Sequence, residues 1–299
     1  MNQPQSQRLS IDHTCRFRKI NHKGFRLAVE ITRRCNLKCK HCFVKKGNQE
    51  PDTNRLCSEL LNALKYGCKK VIITGGEPLL NKNLDRILRV LAERSVLTDL
   101  NSNLYTLNKN RALELVEAGL GEVSVSIYGN EDSHDWLTGV PGSFKRAIRG
   151  IELLQRLNIP VDVHSAVWYD SGAYIKYVTE LCEQLGVSSL TFFRILPTEN
   201  APKNYPFLFR ANGNMLKNIN SIREQIKMPV RTIGLDEPDF KECVMGESVL
   251  GITADFELVP CLLARSSARS IDLSEIGFKL ALEALNKQMQ QRKWHPVCA

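Results

Sequence analysis

The sequence predicts an α/β fold, a partial (β/α)6 barrel of the TIM type followed by a small C-terminal module. Three observations carry this. From residue 25 onward, short runs rich in β-branched residues alternate with longer segments of helical period, the pattern of a parallel sheet built from βα units. Asn, Ser and Gly punctuate the boundaries, as helix caps do. After "LPTENAPKNYPFLFRANG" the rhythm fades, and a tail begins that carries Cys243, Cys261 and Cys298 around a hairpin-like "SVLGITADFELVPC".

Strands are expected over residues 25–32, 69–74, 96–103, 122–128, 161–168 and 189–196. Between them, residues 54–67, 81–95, 108–119, 142–157 and 172–186 place apolar side chains near i, i+3, i+4 and i+7, which makes each an amphipathic crossover helix. A sixth helix is expected over 214–227. The organisation that follows is an N-terminal extension over 1–24, the barrel over 25–213 and the second module over 230–299.

The chain has 299 residues, 43% hydrophobic and 24% charged, with a formal net charge of +9. That is the balance of a soluble globular protein. No window approaches the ~18 consecutive apolar residues of a membrane span, and the first ten residues lack the apolar run of a secretory signal, so the expectation is a cytoplasmic protein. The positive charge favours anionic ligands, but aromatics are only 7% and no nucleic-acid-binding signature is present. Nucleic acid is therefore not expected as a partner.

Ten cysteines without an export signal argue against a disulfide framework, because the cytosol keeps thiols reduced. Cys15, Cys57, Cys68 and Cys182 are scattered and read as small buried hydrophobes. Cys35, Cys39 and Cys42 are different: they fall within "CNLKCKHC", directly after the first strand, where strand-to-helix loops of a barrel gather functional groups. Thiolates select soft metals, so the choice lies between zinc and an iron–sulfur cluster. Structural zinc wants four protein ligands; no fourth cysteine is near, and His41 lies inside the loop in an awkward place. A four-iron cluster on three cysteines leaves one iron for a ligand that is not protein.

With "TGGEP" at Thr74 to Pro78 and "VSVSIYG" on the fourth strand, the chain resembles the radical S-adenosylmethionine (radical SAM) superfamily over roughly residues 25–200. The resemblance implies that Cys35, Cys39 and Cys42 bind a [4Fe-4S] cluster, with the amino and carboxylate groups of S-adenosyl-L-methionine on the fourth iron. It sets His41 beside the adenine, Gly75, Gly76 and Glu77 along the methionine moiety, and Pro78 at the entry to the next helix. Asn103 falls where the family often reads Thr-Asn-Gly, with Leu104 in place of the glycine. Ser126 aligns with a position that touches ribose or carboxylate, and Tyr128 stands where Asp is frequent. His164, Ser165 and the stretch from Arg194 to Leu196 are further cofactor contacts on this reading, His164 being alternatively a satisfied core histidine.

Cys243 and Cys261 resemble the opening of the SPASM and Twitch extensions of the same superfamily, with Phe256 where those have a glycine. With Cys298 they imply an auxiliary iron–sulfur cluster in a reduced, Twitch-like module, the alternative being isolated structural cysteines. The resemblance implies reductive cleavage of S-adenosylmethionine to a 5′-deoxyadenosyl radical that takes a hydrogen atom from a substrate. It also implies an electron donor such as flavodoxin or ferredoxin. The substrate expected first is a ribosomally made peptide undergoing epimerisation, cross-linking or thioether formation. The alternatives are a sugar, nucleotide or antibiotic precursor and, from another class, a noncatalytic metal-binding scaffold.

Overall fold

A computed structural model describes residues 24–168, 172–195, 205, 208, 213–233, 235, 248–263 and 270–291. The expected βα units are all present. They run β1 (Phe25–Glu30), α1 (Thr53–Lys65), β2 (Cys68–Thr74), α2 (Leu84–Ala92), β3 (Leu97–Ser102), α3 (Lys109–Glu117) and β4 (Glu122–Ser126). Then come α4 (Glu131–Thr138), α5 (Ser143–Arg156), β5 (Val161–Val167), α6 (Gly172–Leu185), β6 (Ser189–Arg194) and α7 (Gly213–Arg223). The tail adds β7 (Val230–Ile233), β8 (Val249–Ile252), β9 (Glu257–Val259), β10 (Ile271–Asp272) and α8 (Leu273–Gln291).

Local chemistry sets the helix starts. The side chains of Asp52, Asn108 and Asn130 accept from the backbone N–H of Arg55, Arg111 and Ser133, as N-caps do. α5 is capped from outside its own segment: the Asp135 carboxylate of α4 accepts from Gly142 N (2.5 Å), Phe144 N (2.8 Å) and Ser143 Oγ (2.8 Å). This contact ties α4 to α5.

The strands form one sheet in the order β10-β9-β8-β1-β2-β3-β4-β5-β6-β7. Parallel pairing extends past the six expected strands at both sides, through β7 on β6 and β8 on β1. β9 and β10 are antiparallel, so the expected hairpin is present as β8–β9, and it continues the main sheet. The tail's last helix was not expected, although Phe278, Ala281, Leu285 and Met289 are buried at helical spacing. Gly277, at φ 68° and ψ 172°, breaks α8 in its first turns; Glu59 of α1 then accepts from Phe278 N at 2.8 Å, and the Phe278 ring stacks on Phe25.

Register separates two faces. Leu27, Val29, Val71, Ile73, Leu100, Val123, Val125, Val161, Val163, Leu190 and Phe192 are fully buried and alternate toward the helices. The other face carries Glu30, Lys70, Thr74, Asp99, Asn101, Ser124, Ser126, Asp162, His164 and Thr191 in neighbouring rows. One side of the sheet is thus a greasy helix-packing surface and the other a polar concave wall.

Candidate cofactor and metal site

Cys35, Cys39 and Cys42 lie in the loop between β1 and α1, at the C-terminal end of the sheet. The loop is clamped on two sides. Toward β2, Ile31 N donates to Thr74 O (3.0 Å), Gly76 N to Thr32 O (2.7 Å) and Glu77 N to Arg34 O (2.8 Å). Toward α4, Lys38 N donates to Thr138 O and Lys40 N to Leu137 O, both at 2.8 Å.

The Gly-Gly pair is required by this close approach. A Cβ on Gly75 would lie 2.3 Å from Thr32 O, and one on Gly76 would lie 2.2 Å from Arg34 O. Both obstacles are backbone atoms, which cannot swing aside. The chain's own cysteine loop already occupies the space that the glycines leave.

The three thiols sense one another. Burial, then the neighbouring Cys42 and Cys35, pushes the Cys39 thiol well above its ordinary value, and burial also raises Cys35. Two thiols that resist ionisation beside a third cysteine fit a soft cationic group, whose charge favours the thiolates. Among the described residues, no three His, Cys, Asp or Glu side chains converge closely enough for a single metal ion. A four-iron cluster takes thiolate ligands and spaces them more widely than one ion does, so three cysteines have the donor chemistry it uses. Beside the cysteines, Asn36 Nδ2 and His41 Nδ1 are buried without a hydrogen-bond partner, so polar capacity is left for a bound molecule.

Glu77 is 1% exposed, and its carboxylate is already engaged. It accepts from Ser102 Oγ (2.7 Å) and Leu79 N (3.0 Å) through Oε1, and from Asn103 N (2.8 Å) through Oε2. Burial still raises its pKa against these donors. The side chain therefore ties β2 to the end of β3. Asn103 passes the link on, its Nδ2 donating to Asn36 Oδ1 at 2.8 Å. Pro78 opens a short 3-10 turn over Pro78–Leu80.

Two bulky residues that the sequence set where glycine was expected have positive φ. Leu104 has φ 55° and Phe256 φ 67°, in the left-handed region that costs an L-residue about 1–2 kcal/mol.

His41, half-buried, forms an edge-on contact with Tyr128 and a 3.1 Å hydrogen bond to its hydroxyl. Burial and the nearby His134 push its pKa down to about 4. Tyr128 also lies beside Ser126, Cys39 and Cys42 and stacks on His134, whose Nδ1 accepts from Tyr128 N at 3.2 Å. Sequence reasoning set Tyr128 aside because no acid stood there and did not single out His134; the contact between strand end and cysteine loop gives both a place.

His164 and Asp162 share the concave wall, with His164 Nε2 3.3 Å from Asp162 Oδ2. Thr191 Oγ1 and Arg231 Nη1 also reach Asp162. Ser165 points to the opposite, helix-packing side of β5 and is fully buried. Arg194 ends β6, half-buried. Leu196, Cys243 and Cys298 lie outside the described residues. Cys261 is buried just after β9, and its sulfur accepts from Leu263 N at 3.3 Å.

The fold and the site define a parallel α/β barrel enzyme with a three-cysteine loop at the C-terminal mouth of its sheet. The chain belongs to the radical SAM superfamily, whose family model matches residues 29–185. An AdoMet-dependent heme synthase of Oleidesulfovibrio alaskensis is 33% identical over 181 residues, 58% of this chain and 46% of that protein. A Methanosarcina barkeri AdoMet-dependent heme synthase is 30% identical over 270 residues, 79% of this chain and 76% of that protein. The chain spans about half the length of the first of these relatives. Among solved structures, Streptococcus suis SuiB bound to precursor peptide SuiA has a TM-score of 0.76 at 14% identity, covering 93% of this chain and 66% of that one. The cofactors of this enzyme are accordingly a [4Fe-4S] cluster and S-adenosyl-L-methionine. No helix among the described residues is long and apolar enough to cross a membrane.

Proposed function

We propose that Cys35, Cys39 and Cys42 hold the four-iron cluster and that S-adenosylmethionine lies along Gly75–Glu77 and the ends of β3 to β6. Asn103, Ser126, His164, Arg194 and Leu196 are then its neighbours, and His41 and Pro78 border it. The bound cofactors supply, on one-electron reduction by a donor such as flavodoxin or ferredoxin, a 5′-deoxyadenosyl radical that takes a hydrogen atom from the substrate. The chain's own residues orient and enclose. Gly75 and Gly76 hold the loop against β2, Glu77 and Asn103 fix it at Arg34 and Asn36 beside Cys35, and the Tyr128–His41 pair closes its inner side against water. No side chain is needed as a base for hydrogen-atom removal.

The substrate class best supported is a small organic molecule in place of the peptide first expected. The observation that carries this is the 30% identity to a heme synthase across three quarters or more of both chains. The peptide reading keeps the support of the fold shared with SuiB, solved with its precursor peptide, and of the net charge of +9, suited to acidic leaders. An auxiliary cluster on Cys243, Cys261 and Cys298 belongs to this proposal.

Anaerobically reconstituted protein is expected to cleave S-adenosylmethionine to 5′-deoxyadenosine with dithionite, and faster with an iron porphyrin, the compound class that the heme synthase relative's name points to, than with a precursor peptide from a neighbouring gene. Acceleration by the peptide alone reverses the substrate assignment. No cleavage by cluster-loaded protein sinks the enzyme reading. Two clusters require about eight irons per chain, falling to about four on replacing Cys243 and Cys261 by Ala; about four in the unmutated protein removes the auxiliary cluster.

A further inference from the structure

Arg33 stands two residues before Cys35, yet its side chain leaves the cysteine loop for the C-terminal hairpin. Its guanidinium, 8% exposed, pairs with Asp255 in the turn between β8 and β9. Among the described residues Asp255 is its one carboxylate partner. Arg33 Nε is buried without a second partner, so the ion pair is the group's main compensation.

Both ends of the pair are held. Arg33 N donates to Gln49 O at 2.9 Å, and its carbonyl accepts from Gly47 N at 3.4 Å. On the hairpin, Ala254 N donates to Glu30, a fully buried carboxylate at the end of β1. Phe256 N donates to Thr253 O, and Phe256 O accepts from Leu273 N, both at 3.0 Å. Phe256 takes its left-handed backbone here, with the Arg55 guanidinium 5.4 Å from its ring centroid. A bulky residue keeps such a conformation only where its surroundings over-determine it, and this one aims Asp255 at Arg33.

We infer that the 253–256 turn is part of the cluster site and that Asp255, acting through Arg33, is a positioning residue for the loop carrying Cys35, Cys39 and Cys42. This rests on the assignment of the four-iron cluster to those cysteines. Residues 31–49 contain six Lys and Arg and no Asp or Glu; Arg34 pairs with Glu50 at the end of the same loop, whereas Arg33, closest in the chain to Cys35 on the strand side, takes its carboxylate from Asp255. Removing that charge leaves a buried cation beside the loop. Reduction of the cluster becomes easier, because uncompensated positive charge stabilises the added electron.

The test uses the full chain, reconstituted anaerobically, with Asp255→Asn and Asp255→Glu. Two quantities are read: the midpoint potential of the cluster whose electron paramagnetic resonance signal changes on adding S-adenosylmethionine, and the rate at which a chelator strips its iron. Asp255→Asn is expected to move the potential positive and speed iron loss several-fold, with Asp255→Glu restoring both toward the unmutated values. An Asp255→Asn protein with lower thermal stability but unchanged potential and iron loss overturns the proposal, since a merely structural hairpin contact behaves that way. If Asp255→Asn does not fold, Arg33→Lys replaces it, with faster iron loss expected and an unchanged rate overturning the idea. Failure of the unmutated chain to assemble a four-iron cluster instead overturns the cofactor assignment, and is recognised before any variant is compared.

Discussion

The Leu104 side chain fills the space that a Cβ on Gly150 needs: the added atom would sit 2.7 Å from Leu104 Cβ and 2.8 Å from its Cδ1. A glycine in α5 and a leucine in a left-handed conformation after β3 are therefore one packing solution. Gly150→Ala gains about 0.5–1 kcal/mol in helix propensity but overpacks the contact at about 1–3 kcal/mol, so a net loss of stability is expected. Leu104→Gly in the same chain removes both atoms, and the double variant is expected to lose less than the sum of the two. Urea unfolding of the four proteins measures the coupling; additive losses contradict the contact.

Gly76 is a position where a single methyl group reaches the cysteine loop. Its Cβ would meet Arg34 O at 2.2 Å and Arg33 O at 2.8 Å, so Gly76→Ala is expected to displace the loop, with about 1–3 kcal/mol of strain and a marked fall in iron bound after reconstitution. Iron analysis alongside circular dichroism separates loss of the site from loss of the fold. Full iron loading in a folded variant contradicts this role.

The Glu77 carboxylate serves three donors, so Glu77→Gln cannot satisfy all of them. In one amide orientation the new NH2 faces Asn103 N–H, and in the other it faces Leu79 N–H. A cost of about 1–3 kcal/mol is expected from the donor left unpaired. Faster hydrogen exchange at the Asn103 or Leu79 amide in the variant is the matching local signature.

Asp162 provides a pH-dependent test on the concave wall. Burial alone raises its pKa, but the hydrogen bond and charge of His164, with Ser189 and Arg231, hold it below the ordinary 3.8. A folded pKa below the unfolded one means the carboxylate stabilises the fold fully above about pH 4 and loses that contribution as pH falls through the folded value. The stability gap between the unmutated protein and Asp162→Asn is therefore expected to be present just above pH 4 and to narrow on acidification below it. Arg231→Ala, at a side chain 62% exposed, is expected to change stability by no more than about 1 kcal/mol.

The βα rhythm was legible because long periodic helices and β-branched strands carry their signal locally. β7 and β10 were not, being four and two residues long, too short for periodicity to register. α8 had a readable apolar spacing, which the cysteines of the tail overshadowed. Cys35, Cys39, Cys42 and the Gly-Gly-Glu-Pro stretch stood out because their spacing along the chain is itself the signal. His134 and Asp255 had none: each acts across a gap in sequence that only folding closes.

By itself the sequence determined the parallel α/β sheet, the three-cysteine loop after its first strand and the glycines facing it, since period and spacing are properties of the chain. Tertiary structure decided what those glycines make room for and where the Glu77 carboxylate is engaged. It also brought the C-terminal hairpin, more than two hundred residues away, to Arg33. Those are contacts between distant segments, set by the pairing of β8 on β1 and by close packing that permits one arrangement of the loop.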